Sequence, residues 1–285
     1  MIAVTGATGQ LGRLVINALL KKVPASEIIA AVRSPEKASD LAALGVQVRK
    51  ADYSHPATLA TAFQGVDKLL LISSSEVGQR LAQHAAVINA AKHANIKLLA
   101  YTSLLHADES PLGLGEEHRA TEALLRESGL PVVLLRNGWY TENYAASIAP
   151  SLAHGAFIGA VGDGQIASAS REDYAQAAAI VLTQENQAGK VYELAGDDSY
   201  TLAEFSAEIA RQSGKSVVYK NLSEADFRQA LISAGLPDGF AALLADSDAG
   251  AAKGGLFDDS HTLSKLIGRP TTPYAKVIAA TLASL

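Results

Sequence analysis

Three glycines near the amino terminus carry the first chemical signal. In MIAVTGATGQLG an apolar run, Ile2 to Val4, stops at Thr5, and Gly6, Gly9 and Gly12 follow. An amphipathic stretch then runs from Leu11 to Leu20. Strand, glycine turn and helix in that order are the setting a dinucleotide fingerprint requires. Gly6 permits the tight turn, Gly9 lets backbone approach a pyrophosphate, and Gly12 lets the helix close on the strand. The helix start offers unpaired N–H groups and a positive dipole end to phosphates. An ordinary strand-to-helix turn is the plainer alternative.

Later apolar runs each end on residues that can bind. Arg33 follows Ile28–Val32, at the point where a site for the non-phosphorylated cofactor puts an acidic residue on the ribose 2′-hydroxyl. An arginine there offers a planar fork of donors to a 2′-phosphate, so NADPH is preferred over NADH, with Lys37 placed to assist. Asp52 and Tyr53 follow the third run. Asp52 suits either an adenine amino group or a turn cap. Ser73, Ser74 and Ser75 follow the fourth, and small hydroxyls let ribose and nicotinamide lie close to backbone. The densest cluster is RNGWYTENY, Arg136 to Tyr144, with the single tryptophan of the chain. Its aromatics suit a flat ligand or a nicotinamide ring. Asn137 and Asn143 can fix carboxamide or carbonyl groups, and Asn143 and Tyr144 are the candidates for orienting a substrate. Tyr140 and Arg171, which opens a later helix, are further substrate candidates. The alternative for Trp139 and Tyr140 is a plug between lobes.

The fifth run ends in Tyr101-Thr102-Ser103. A short-chain dehydrogenase has its serine here and Tyr-x-x-x-Lys in the next helix. This chain has His118 and Glu122 instead. Carbonyl reduction needs a general acid to protonate the nascent alkoxide. A quinone needs one far less, because its reduced anion is delocalised. One helical turn apart, His118 and Glu122 are expected to pair on a solvated face.

Composition narrows the alternatives. The chain has 285 residues, a net charge of −5 and no cysteine. The acidic balance argues against nucleic-acid binding. Without cysteine there are no disulfides, thiolate metal sites or iron–sulfur clusters. The seven histidines show no ligand spacing, so no metal is expected. No GxSxG elbow points to hydrolysis. No leader or bilayer-spanning run is visible, so a cytoplasmic protein is expected. Self-association is left open.

These residues need elements to hold them. Strands are predicted at 2–5, 28–32, 46–50, 68–72, 98–102 and 132–136. Helical periodicity covers 11–21, 35–44, 55–63, 79–94 and 115–128. Such alternation predicts an α/β fold, a doubly wound parallel sheet of Rossmann type. A (β/α)8 barrel competes less well, because it would not put the glycine turn first. Residues 1–138 read as the nucleotide-binding domain, joined by a strand near 190–195. Residues 139–285 read mainly as a smaller α/β lobe, with helices at 202–213 and 224–234 and a strand at 216–219. Ala245–Gly255 reads as a mobile loop of small residues.

GATGQLG, Arg33, the missing Tyr-x-x-x-Lys, the RNGWYTEN stretch and LSKLIGRPTTP at Leu263–Pro273 together resemble the atypical short-chain dehydrogenases of the NmrA-like family. The resemblance covers essentially the whole chain. It implies a Rossmann lobe that binds NADPH, a small second lobe and a cleft between them. It implies no flavin, with hydride passing directly from nicotinamide to a quinone. Cofactor contacts carried over are Gly6, Ala7, Thr8, Gly9, Gln10, Leu11, Gly12, Arg33, Ser73 to Ser75, and Trp139, Tyr140, Thr141, Glu142, Asn143 and Tyr144. Other members bind the cofactor as redox sensors and act through a protein partner, which is the alternative function.

Overall fold

The computed structural model describes residues 1–76 and 78–285. The chain order begins β1 (Ile2–Thr5), α1 (Gln10–Leu20), β2 (Ile28–Val32), α2 (Ser39–Ala43), β3 (Gln47–Lys50), α3 (Pro56–Ala62), β4 (Lys68–Leu71) and α4 (Arg80–His93). It continues with β5 (Leu98–Leu104), α5 (Leu114–Glu127), β6 (Val132–Asn137), α6 (Thr141–Ala145), α7 (Ile148–His154), β7 (Ala156–Gly159), α8 (Arg171–Thr183) and β8 (Val191–Leu194). It ends with α9 (Leu202–Ser213), β9 (Val218–Asn221), α10 (Glu224–Ser233), α11 (Asp238–Ala251), α12 (Thr262–Ile267) and α13 (Tyr274–Ala283).

Seven strands form one sheet in the order β3-β2-β1-β4-β5-β6-β8. Pairings from β3 through to β6 are parallel. The inner strands β1, β2 and β4 are short runs mainly of Val, Ile, Leu and Ala, as a sheet covered by helices on both faces requires. β1, β2 and β5 are buried at every position. Leu69, Leu71 and Tyr101 of the sheet pack with Leu59, Phe63, Val87 and Leu125 of the covering helices. Strand order reverses between β1 and β4, and ligands of such sheets bind at the carboxyl ends there.

The chain divides into two compact units. The first comprises residues 1–104, 117–137 and 171–192, and the second 105–116, 138–170 and 193–285. A single cut at 138 is therefore too simple. The chain leaves the first unit after β5, returns for α5 and β6, leaves again after Asn137 and returns with α8, which packs beside α1. The second unit carries a small parallel sheet of β7 and β9. Its core holds a cluster of rings, with Phe205 against Tyr144, Phe157, Tyr200 and Tyr274 at centroid separations of 5.3–6.2 Å.

One local expectation needs correction, and one strand was not predicted. Residues 245–255 do not form a loop throughout, because α11 runs to Ala251. Alanine favours helix, and the small residues are there for packing. A Cβ on Gly250 or Gly255 would come within 2.8 or 2.5 Å of the Leu112 side chain. Strand β7 was hidden among the glycines of 143–165, because four residues are too few to show a period of two. Among the described residues, no helix is long and apolar enough to cross a membrane.

Candidate nucleotide-binding site

The glycine turn has the geometry its spacing predicts. Gly6 adopts the left-handed region, at φ +59. Its carbonyl accepts from Gly9 N–H at 2.9 Å, closing the turn. A Cβ on Gly12 would sit 2.4 Å from that carbonyl oxygen, so only glycine lets α1 start so near β1. Gly9 is the N-cap, with no side-chain cap, and no acidic residue stands in the first turn. The first amides of α1 lack intrahelical acceptors by geometry, and nothing acidic opposes a phosphate there. The cradle fits a pyrophosphate.

Neighbouring strands bring the other candidates of the first unit to the same sheet edge. Arg33 follows β2 and is 71% exposed in its side chain. Asp52 follows β3, where its carboxylate accepts from Ser54 N–H and lies 3.0 Å from His55 Nδ1. Burial raises its pKa, but these bonds and the charges of His55 and Arg33 outweigh that and hold it below the usual range. This is the turn-cap role. Tyr53 has its hydroxyl 2.6 Å from Thr5 Oγ1 and 3.0 Å from the Ile72 carbonyl, tying the ends of β1 and β4.

Ser73 to Ser75 lie on a loop built from below by residues that sequence reasoning passed over. Ser73 N–H donates to Thr102 Oγ1, and Ser74 N–H donates to His84 Nε2 at 2.9 Å. His84 must therefore carry its proton on Nδ1, which lies 3.0 Å from Thr121 Oγ1. Burial, with the Arg80 charge, lowers the His84 pKa to about 3, so the ring stays neutral. Arg80 donates to the Ser74 carbonyl and pairs with Glu117 at 2.8 Å, and Glu117 also accepts from Gly78 N–H. The available signal was Arg80 and His84 four apart, with Gln83, on a helix face whose other buried residues are apolar.

The positions that would hold Tyr and Lys in a short-chain dehydrogenase are sealed. His118 and Glu122 are buried, not solvated, and they take different partners. His118 Nδ1 lies 2.7 Å from the Tyr101 hydroxyl, and burial drops its pKa to about 3. A neutral, buried imidazole is a poor proton donor near neutral pH. Glu122 accepts from Ser103 Oγ at 2.6 Å and from Arg136 Nε and Nη2 at 3.0 and 2.7 Å. The Ser and Lys positions are thus held in a buried ion-pair network with Arg136, and the Tyr position in a separate bond to Tyr101.

Asn137 ends β6 at 5% exposure. Its Oδ1 is a buried oxygen without a hydrogen-bond partner among the described residues. Such an orphan costs about 1–3 kcal/mol unless a ligand donor meets it. An N–H of a nicotinamide carboxamide is a fitting donor.

In the second unit, Tyr140 pairs with Ala169 in a parallel bridge. Thr141 N–H donates to the Ala169 carbonyl, and Thr141 Oγ1 lies 2.8 Å from Ser168 Oγ. Trp139 is buried, while Tyr140, Glu142 and Asn143 are half-buried. Tyr144 turns inward. Its hydroxyl donates to Asp248 at 3.1 Å and its ring lies against Phe205, so any role with substrate is indirect. Arg171 belongs to the first unit as the opening residue of α8.

Asp248 is the other residue the sequence reading missed. It also accepts from Ala160 N–H at 2.8 Å. Burial raises its carboxyl to about 6, against the pull of the Ala160 and Tyr144 bonds. The native state thus holds this proton more tightly than the unfolded chain, where aspartate titrates at about 3.9. The resulting stabilisation is full below that value and is lost as pH rises through about 6. Asp248→Asn should therefore gain stability on the parent protein between roughly pH 4 and 7, by up to about 3 kcal/mol. Urea unfolding of both proteins across this range reads the difference, and parallel curves would reject it.

The family model described as NAD(P)H-binding matches residues 6–185. Quinone oxidoreductase 2 of Escherichia coli (strain K12) is 64% identical over 279 residues, 98% of each chain. A crystal structure of the NADPH-dependent quinone oxidoreductase of Escherichia coli complexed with NADPH matches at a TM-score of 0.97, over 99% of this chain and 100% of that one, with 64% identity. The Citrobacter sp. triphenylmethane reductase complexed with NADP(H) matches at 0.94 with 42% identity, over 99% and 100%.

Proposed function

The chain belongs to the NAD(P)H-binding family, and we propose that it transfers a hydride from NADPH directly to quinones, without flavin. The observation that carries this reading is the sealed network of Ser103, Glu122 and Arg136 beside the neutral His118. The chain keeps a dinucleotide cradle and has lost the proton-relay residues that carbonyl reduction uses. That combination suits an acceptor whose reduced anion takes its proton from water. The whole-length likeness to a quinone oxidoreductase supports the same acceptor class.

Bound NADPH supplies the hydride from its nicotinamide ring. Around it, Gly6, Gly9 and the start of α1 hold the pyrophosphate, and Arg33 reads the 2′-phosphate. Ser73 to Ser75 hold the ribose on the loop that His84 and Arg80 stiffen. Asn137 accepts from the carboxamide. Asn143 and Tyr140 are the residues proposed to orient the quinone. The rate then comes mainly from holding the acceptor at near-attack distance.

The test is the decay of NADPH absorbance with a simple quinone, beside an NADH control. Rapid decay with NADPH and slower decay with NADH are expected. Tight NADPH binding without decay for any acceptor would give a redox sensor instead. In the same assay Asn143→Ala should lower kcat/KM about tenfold, the cost of about 1.4 kcal/mol of lost orientation. An unchanged value would remove Asn143 from the site.

A further inference from the structure

Arg33 has a partner of its own within the protein. Its Nη1 donates to Glu76 Oε1 at 3.0 Å. Glu76 is itself held in place. Its Oε2 accepts from Gln83 Nε2 at 2.8 Å, and its N–H donates to Ser74 Oγ. Gln83 is 7% exposed and also bonds Ser74 Oγ. The Ser74 backbone is fixed in turn by Arg80 and His84. The carboxylate is thus presented to Arg33 by a buried scaffold.

Topology gives the pair its meaning. Arg33 follows β2 and Glu76 lies beyond β4, and these strands flank β1 on either side. The ion pair therefore crosses the carboxyl end of β1, above the glycine turn. A dinucleotide lies along that edge. Glu76 takes one of the five guanidinium N–H donors of Arg33, so a 2′-phosphate would share the group with a carboxylate, and two like charges at one guanidinium repel. A cofactor with a free 2′-hydroxyl makes no such demand and leaves the pair intact.

We propose that Glu76 is a built-in competitor of the cofactor 2′-phosphate for Arg33, and that it sets how strongly the protein prefers NADPH over NADH. The proposal rests on Arg33 reading the 2′-phosphate. Glu76 moderates a selectivity that Arg33 creates, and so keeps NADH usable and NADP(H) exchangeable.

The experiment is calorimetric titration of the cofactor-free protein with 2′,5′-ADP and with 5′-AMP, which separates the phosphate from the chemistry. Glu76→Gln keeps a partner for Gln83 and removes the charge. It should tighten 2′,5′-ADP by about two- to fivefold, the range for an exposed ion pair, and leave 5′-AMP within a factor of about 1.5. The gain should shrink with added salt. In an Arg33→Ala background the same change should tighten 2′,5′-ADP less than in the parent. Equal tightening of both probes, no change in either, or weaker 2′,5′-ADP binding would overturn the proposal. If Arg33→Ala weakens both probes equally, the underlying reading of Arg33 has failed. If it weakens only 2′,5′-ADP while Glu76→Gln changes nothing, the competitor role alone has failed.

Discussion

Glu122→Ala is expected to destabilise the protein by about 3–5 kcal/mol, because it leaves the buried Arg136 without its carboxylate. Glu122 is fully buried and receives two bonds from Arg136 and one from Ser103. The loss contains both the missing attraction and the desolvated charge left behind. Removing both charges together, as Glu122→Leu with Arg136→Met, should recover most of it, since apolar replacements of buried pairs are often neutral. Urea unfolding midpoints of the two variants beside the parent protein read the difference. The activity of the molecules that remain folded should change little. If Glu122→Ala were stable yet inactive, the carboxylate would be a catalytic acid and the sealed-network account would be wrong.

Arg33→Ala should weaken NADPH by about 1–3 kcal/mol, or roughly five- to 150-fold in Kd. NADH should be spared, because it has no 2′-phosphate to lose. The guanidinium is largely exposed, which places the effect toward the lower end in physiological salt. Fluorescence titration with both cofactors measures the split. Equal losses would show that Arg33 serves the loop and does not read the phosphate.

Much of the first unit is legible in the chain because its signals are local. The glycine spacing demands a turn that only glycine can make, and the structure gives Gly6 a left-handed backbone and Gly12 no room for a Cβ. Buried parallel strands write themselves as apolar runs, so β1 to β6 fall at or within a few residues of the predicted positions. The capped helix α9 shows the same locality. Thr201 and Glu204 form a reciprocal capping box three residues apart, which is an interaction within a single turn.

Tertiary structure alone decided the rest, because those interactions join residues far apart in the chain. Arg136 and Glu122 lie on different elements, and only the packing of α5 beside β6 makes them an ion pair instead of two surface charges. Arg33 and Glu76 are separated by 43 positions. Tyr144 and Asp248 are separated by 104, and that distance turned an expected ligand contact into a core hydrogen bond. The sequence determines each residue's chemistry and its immediate backbone. Burial and partner choice depend on what the completed sheet and helices bring alongside, and these in turn determine whether a histidine stays neutral or an arginine is free to meet a phosphate.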